Sequence, residues 1–469
     1  MLRVLFFCFA ITATAQKELV LKKGIIIDSV KLSNSTSESY SLYLPKKYDT
    51  SKKWPIIFVV DQQGNGAGVL SYFKKDAEEQ GYILAASNNT RDSLSTSQNI
   101  LVFNRMHEVM LSFFSIDKNR VYTAGFSKGA RLASAIPVFI KNIKGVISCG
   151  AGIHNIEFAN NQKNLYHFIG IVGKEDYKYP EMLKLNRSLN LLKFPNKLLA
   201  FNGGEAWPSE IYIKEALQIL NLSSMAKGFV PKDSIYIQNA YNKDIRQLKA
   251  LKEAYKLLDL ENAINKAIAI YKPHLSVDSL VNERKALQKQ KLYKELKRNR
   301  RATFFNENLL KEEYLYAIEE DIETYNFNNL GWWNYQVGKI NERITNKNLA
   351  TQQMGKRLLG YVNALTNETI KSIEAEKQLD QQALDFLWML KTIVSHKEYS
   401  NYLKIIASSA KNEDFETALF YLEELLKNGF TDKTKLYGIE HTSLLKITPE
   451  YNTIVSKYLK EARYEVIGE

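Results

Sequence analysis

Cysteine is nearly missing from this chain, with two in 469 residues, Cys8 and Cys149. That excludes a disulfide-built scaffold and any cysteine cluster for structural zinc. Histidine is scarce as well, at six residues, and proline stops at nine. No metal site or cofactor motif emerges from so thin a supply of ligands. The opening apolar stretch is too short to span a bilayer, so no membrane span is expected. What is plentiful is core-forming material: 45% of residues are hydrophobic and 12% aromatic. A chain this long exceeds one ordinary core, which predicts two domains.

The first residues, MLRVLFFCFAITATAQ, have the layout of a secretory signal peptide. Arg3 gives the basic start, an apolar run follows, and Ala13-Thr14-Ala15 offers a small-x-small cleavage site. Residues 1–15 are therefore expected to be removed, leaving an exported protein, periplasmic or extracellular, with Cys149 as its single thiol. Cys8 follows Phe7 rather than a small residue, against a lipoprotein cysteine.

The net charge of +13 is unevenly spread: +11 over residues 1–200, +7 over 201–300 and −5 over 301–469. The densest block, VNERKALQKQKLYKELKRNRR (281–301), has nine basic and two acidic side chains. Such a block suits an anionic lipid or polysaccharide; leucines recurring through it at helical spacing read equally as the solvated face of a long helix. No nucleic-acid partner is expected.

Up to about residue 205, short apolar runs alternate with amphipathic stretches. Seven strands are predicted: 39–44, 55–61, 82–89, 120–127, 144–152, 166–173 and 196–204. The later ones are almost continuously apolar, as strands covered on both faces must be. Helical patterns such as NRMHEVMLSFFS (104–115) and EMLKLNRSLNLLK (181–193) separate them. The alternation predicts an α/β fold, a mostly parallel sheet flanked by helices, over residues 16–210. Beyond Pro208 glycine thins out and amphipathic helices follow one another, which predicts an all-α domain over 211–469. In NEDFETALFYLEELLKNGF (412–430), small Ala418 falls where two helices would touch and Gly429 ends the second. That hairpin is tetratricopeptide-like, although no clean 34-residue period runs through the region. A helical array of this kind suits a protein partner; a plain helical appendage is the alternative.

TAGFSKGA (123–130) is the most informative stretch. Gly125-Phe126-Ser127-Lys128-Gly129 fits G-x-S-x-G between a predicted strand and a predicted helix. The turn would strain Ser127, present its hydroxyl at the carboxyl end of the sheet, and place the Lys128 amide at a helix start as an oxyanion donor. With SLYLPKKYD leading into WPIIFVVDQQGNG, with GIVGKEDYKYP and with FNGGEAWP, this stretch makes residues 38–208 resemble an α/β-hydrolase domain. The similarity is to secreted polyhydroxybutyrate depolymerase and feruloyl esterase-type enzymes. It implies Ser127 as nucleophile, Asp176 as the orienting acid with Glu175 the weaker choice, and Gln62 or Gln63 as the second oxyanion donor. DQQGNGAG lacks the Lys-Ser/Thr of a phosphate-binding loop.

In FNGGEAWP the sequence departs from the pattern. Members of that group read Gly-Gly-His-x-Trp-Pro, where this chain has Gly203-Gly204-Glu205-Ala206-Trp207-Pro208. Serine is a poor nucleophile without a base of near-neutral pKa. Glu205 would need burial or a neighbouring carboxylate, such as Asp176 sharing its proton, to approach one. His154, after the strand 144–152, is the other position from which a base could act. Two readings stay open: an ester hydrolase acting on a small-molecule or polymer ester through Ser127, and an inactive hydrolase fold retained for binding or scaffolding. Trp332-Trp333 in NLGWWNYQVG is either a platform for sugars and aromatics or packing.

Overall fold

The computed structural model describes residues 21–33, 37–153 and 166–460. The expected signal peptide and His154 lie outside these residues.

Eight strands form one sheet in the order β1-β2-β4-β3-β5-β6-β7-β8. They are β1 (Ile26–Lys31), β2 (Ser39–Tyr43), β3 (Trp54–Val60), β4 (Ile83–Ser87), β5 (Ile116–Phe126), β6 (Ile143–Cys149), β7 (His167–Gly173) and β8 (Asn196–Phe201). β1–β2 and β2–β4 are antiparallel, while β3 runs parallel to β4 and β5, and β5 to β6. With a glycine-flanked serine turn after β5, this is the α/β-hydrolase architecture. Ile56, Ile57 and Phe58 on β3 and Val121 and Ala124 on β5 are fully buried, as expected of strands covered on both faces.

The helices of this part are α1 (Gly66–Gln80), α2 (Thr96–Phe113), α3 (Lys128–Phe139), α4 (Tyr179–Leu191) and α5 (Glu210–Ala226). Local chemistry sets their ends. Asn65 caps α1 through the Gly68 amide, and Gly81 closes it in the left-handed conformation. Ser95 and Gln98 form a capping box at the start of α2, their side-chain oxygens accepting from two amides that the helix start leaves unpaired.

By packing, the chain forms two units, and the division runs through β7 rather than after β8. The first unit holds residues up to Cys149, then 153–169 and 209–224, so most of α5 belongs to it. There the Tyr122 and Ser224 hydroxyls share a buried hydrogen bond of 2.9 Å. The second unit holds 150–152, 170–208 and 225–469, and is mostly helical.

Its later helices are α6 (Ser234–Glu253), α7 (Leu257–Tyr271), α8 (Asp278–Lys289), α9 (Lys291–Thr324), α10 (Leu330–Ile344), α11 (Leu349–Glu374), α12 (Gln381–Val394), α13 (Tyr399–Lys411) and α14 (Phe415–Lys427), followed by the shorter α15 (Lys433–Tyr437), α16 (Ser443–Lys446) and α17 (Pro449–Leu459). Residues 245–272, a single periodic run in sequence, break at Tyr255, whose φ is 53°. Ala418 is fully buried in the α13–α14 hairpin, and Gly429 leaves it at φ 97°. Trp333 is buried with its indole N–H donating to Asp321 at 2.8 Å, and Trp332 packs edge-on against it at 5.0 Å. The pair is packing, not a platform.

On α1, Asp76 is fully buried and neither carboxylate oxygen has a hydrogen-bond partner among the described residues. Burial, with Glu210 adding and Lys214 opposing, pushes its carboxyl up to about 6. The folded pKa lies above the unfolded one, so the unfolded chain releases this proton first as pH rises. Folding is therefore penalised increasingly from about pH 4 to 6, and fully above. Asp76→Asn is expected to stabilise the protein at pH 7.5 by about 1–3 kcal/mol, a gain that disappears at pH 4. Urea midpoints at the two pH values check this; an equal shift at both would contradict it.

Candidate functional site

Two clusters carry the residues singled out in the sequence, one in each unit. In the first unit, β5 ends at Phe126 and α3 begins at Lys128, leaving Ser127 alone in the turn at φ 50°, ψ −117°. A non-glycine residue in this region costs of order 1–3 kcal/mol and persists only where its surroundings enforce it. Here they do. The Ser127 amide donates to the Cys149 carbonyl at 2.8 Å, and the Ser127 carbonyl accepts from Ala130 and Arg131. The flanking glycines are sterically required: a Cβ on Gly125 would lie 2.5 Å from the Gly129 backbone, and one on Gly129 would lie 2.4 Å from the Val60 carbonyl oxygen.

The pairing of Val60 with Gly125 makes β3 and β5 end together, so the 61–65 turn leaves the sheet beside the elbow. Thr90 Oγ1 donates to the Asp61 carbonyl, and the Asp92 amide donates to the Gln62 carbonyl at 2.8 Å. In a trans peptide C=O and N–H point opposite ways. The Gln62 N–H therefore faces away from Thr90, and the Gln63 N–H away from Asp92. The Lys128 N–H lies in the first turn of α3, where no intrahelical acceptor exists. Sequence-predicted Ser127, Lys128, Gln62 and Gln63 are thus gathered around one helix start. The Lys128 ammonium turns to Asp92 at 2.6 Å, with both side chains about half exposed; it is an ion-paired surface group, not a base.

In the second unit, the turn after β7 bears the acid. The Lys174 and Glu175 amides donate to the carbonyls of Phe201 and Gly203 at 2.8 and 2.9 Å, which ties this turn to the one after β8. Asp176 is 2% exposed, and its Oδ1 accepts from the Lys178 amide at 2.9 Å. Burial pushes its carboxyl up to about 6; the amide and ammonium of Lys178 and the charge of Lys311 oppose the rise, and Glu205 adds to it.

Glu205, in the histidine position, bonds the Lys178 ammonium at 2.7 Å. The Lys178 side chain is 6% exposed and that of Glu205 38%. Burial alone would lower the ammonium's pKa, but the bond to Glu205 and the nearby Tyr177 and Asp176 hold it above the ordinary lysine value. The structure therefore brings Asp176 and Glu205 together with a lysine that sequence reading missed. Its only sequence signal was a cation two residues after the acid in EDYKYP. One oxygen of the Glu205 carboxylate is thus already engaged by the ammonium.

The remaining histidines in the described residues are placed elsewhere. His107 on α2 is buried between Phe58 and Phe103 and shares a hydrogen bond with Asn142. His167 opens β7 and meets Ser223 at 3.1 Å. His274, His396 and His441 belong to the second unit. Among the described residues no group of three or more His, Cys, Asp or Glu is arranged to hold a metal ion, and no helix is long and apolar enough to cross a membrane.

No protein-family model and no curated protein matches the chain. Solved structures similar to it include esterase B from Lactobacillus rhamnosis, at 14% identity over 44% of this chain and 89% of that one, with a TM-score of 0.38. The feruloyl esterase module from Clostridium thermocellum matches at 17% identity over 41% of this chain and 86% of that one, TM-score 0.34. A candidate dipeptidyl aminopeptidase IV from Bacteroides ovatus matches at 16% identity and TM-score 0.34 over 41% of this chain, which spans only 34% of that enzyme. These likenesses carry neither activity nor substrate; the fold rests on the strand order and the elbow.

Proposed function

We propose that this is an exported carboxylic ester hydrolase acting through Ser127. One observation carries the reading: a serine, not a glycine, occupies the strained φ 50° turn at the start of α3. In this mechanism Ser127 Oγ attacks the ester carbonyl. The amides of Lys128 and of Gln62 or Gln63 stabilise the oxyanion, the alcohol leaves, and water hydrolyses the acyl-enzyme. Asp176 orients the base, a role assigned to His154. Glu205 is the weaker choice because of its ion pair. The helical region serves a protein partner in the manner of tetratricopeptide-like arrays.

The Lys178–Glu205 bond favours a second reading, in which the hydrolase fold binds or scaffolds without turnover. Fluorophosphonate labelling of the purified protein separates the two. Labelling is expected in the parent and absent in Ser127→Ala. An unlabelled but folded parent would leave only the binding reading. Among activity losses, His154→Ala is the discriminating one: an unchanged rate removes the imidazole assignment.

A further inference from the structure

We propose that Lys311 and Arg357, on α9 and α11, are positioning residues for Asp176, fixing from the helices where its carboxylate stands. The proposal rests on Asp176 acting as the orienting acid, the reading given above.

The carbonyls on either side of Asp176 are both held by these two side chains. Arg357 Nη1 donates to the Lys174 carbonyl at 2.7 Å, and Lys311 Nζ donates to the Tyr177 carbonyl at 2.9 Å. One carboxylate holds both donors. Arg357 meets Glu307 through Nε and Nη2 at 2.9 and 2.6 Å, and Lys311 meets it at 3.0 Å. Side-chain exposure is 2% for Arg357, 1% for Glu307 and 15% for Lys311.

If packing were the only requirement, apolar side chains of similar volume would serve as well as three buried charges. What charges add is direction. A carbonyl gripped by a guanidinium has one orientation, and two gripped carbonyls leave the peptides around Asp176 little freedom. The carboxylate itself is steadied by the Lys178 amide at 2.9 Å. Packing follows the same scheme: the Tyr177 ring lies 6.3 Å from that of Tyr361, over which the Lys311 ammonium sits at 5.3 Å. Lys311 also contributes charge, since it is among the cations that oppose the rise in the Asp176 pKa.

The test compares Lys311→Met, which keeps the stem, with Lys311→Arg, which keeps cation and donor. Two readouts are taken on the full chain: hydrogen exchange of the 174–180 amides, and the pH profile of Ser127 labelling by fluorophosphonate. Lys311→Met is expected to speed exchange in 174–180 about tenfold or more, leave α13 and α14 unchanged, and move the acid limb of labelling to higher pH. Lys311→Arg is expected to return both towards the parent. Unchanged exchange in Lys311→Met overturns the proposal, whether or not Ser127 labels. A limb that stays put in a labelled Lys311→Met protein also overturns it. A parent that does not label, with faster exchange in the variant, overturns the hydrolase reading and sustains the positioning one.

Discussion

Glu205→His combined with Lys178→Met is expected to raise kcat/KM for a p-nitrophenyl ester at pH 8 by about 10²-fold or more. The parent has the strained Ser127 and the buried Asp176, but Glu205 stands where the resembling sequence pattern has histidine. Histidine alone is not expected to suffice. The Lys178 ammonium, 2.7 Å from Glu205 and almost fully buried, would lose its counter-charge. It would also oppose the imidazolium that forms as histidine takes the serine proton. Methionine removes that opposition at similar length, and the Lys178 amide still holds Asp176. The single Glu205→His variant is therefore expected to gain far less than the double. No gain in a folded double variant would mean that a histidine at position 205 does not serve Ser127.

The second large effect is on stability. Arg357→Ala is expected to cost about 3–5 kcal/mol, because it leaves an almost fully buried carboxylate without its main partner. Among the described residues Glu307 would keep only Lys311, whose ammonium also serves the Tyr177 carbonyl. The guanidinium lies 5.3 Å from the Phe304 ring as well, so packing is lost along with charge. Arg357→Met with Glu307→Gln removes the pair together, and is expected to recover a substantial part of the loss. Denaturant midpoints of the three proteins check this; a single variant within about 1 kcal/mol of the parent contradicts the buried-charge argument.

The parallel strands β3 to β6 were legible because strands covered on both faces are apolar throughout, whereas β2, antiparallel to both its neighbours, was legible from its tyrosines and leucine. β1 was not. It pairs antiparallel with β2 through a register shift between Ile27 and Val30, and only Val30 is buried, so it shows neither a run nor an alternation. α5 was read with the helical half because an amphipathic pattern tells which face is covered, not by what. The elbow was legible because all its determinants lie within five residues. Lys178 and Glu205 are 27 residues apart, Lys311 and Tyr177 134, and Arg357 and Lys174 183. Local patterning cannot register such pairs.

The longest of these separations gives the fold a timetable. At about 5–20 residues per second of synthesis, Arg357 leaves the ribosome roughly 10–40 s after the Lys174 carbonyl that it will hold. The residues of the elbow, all before Cys149, can settle early, since their partners are already made. The acid turn cannot. Until α9 and α11 emerge, the Lys174 and Tyr177 carbonyls have water for partners. The turn that bears the acid therefore takes its final geometry long after the turn that bears the nucleophile.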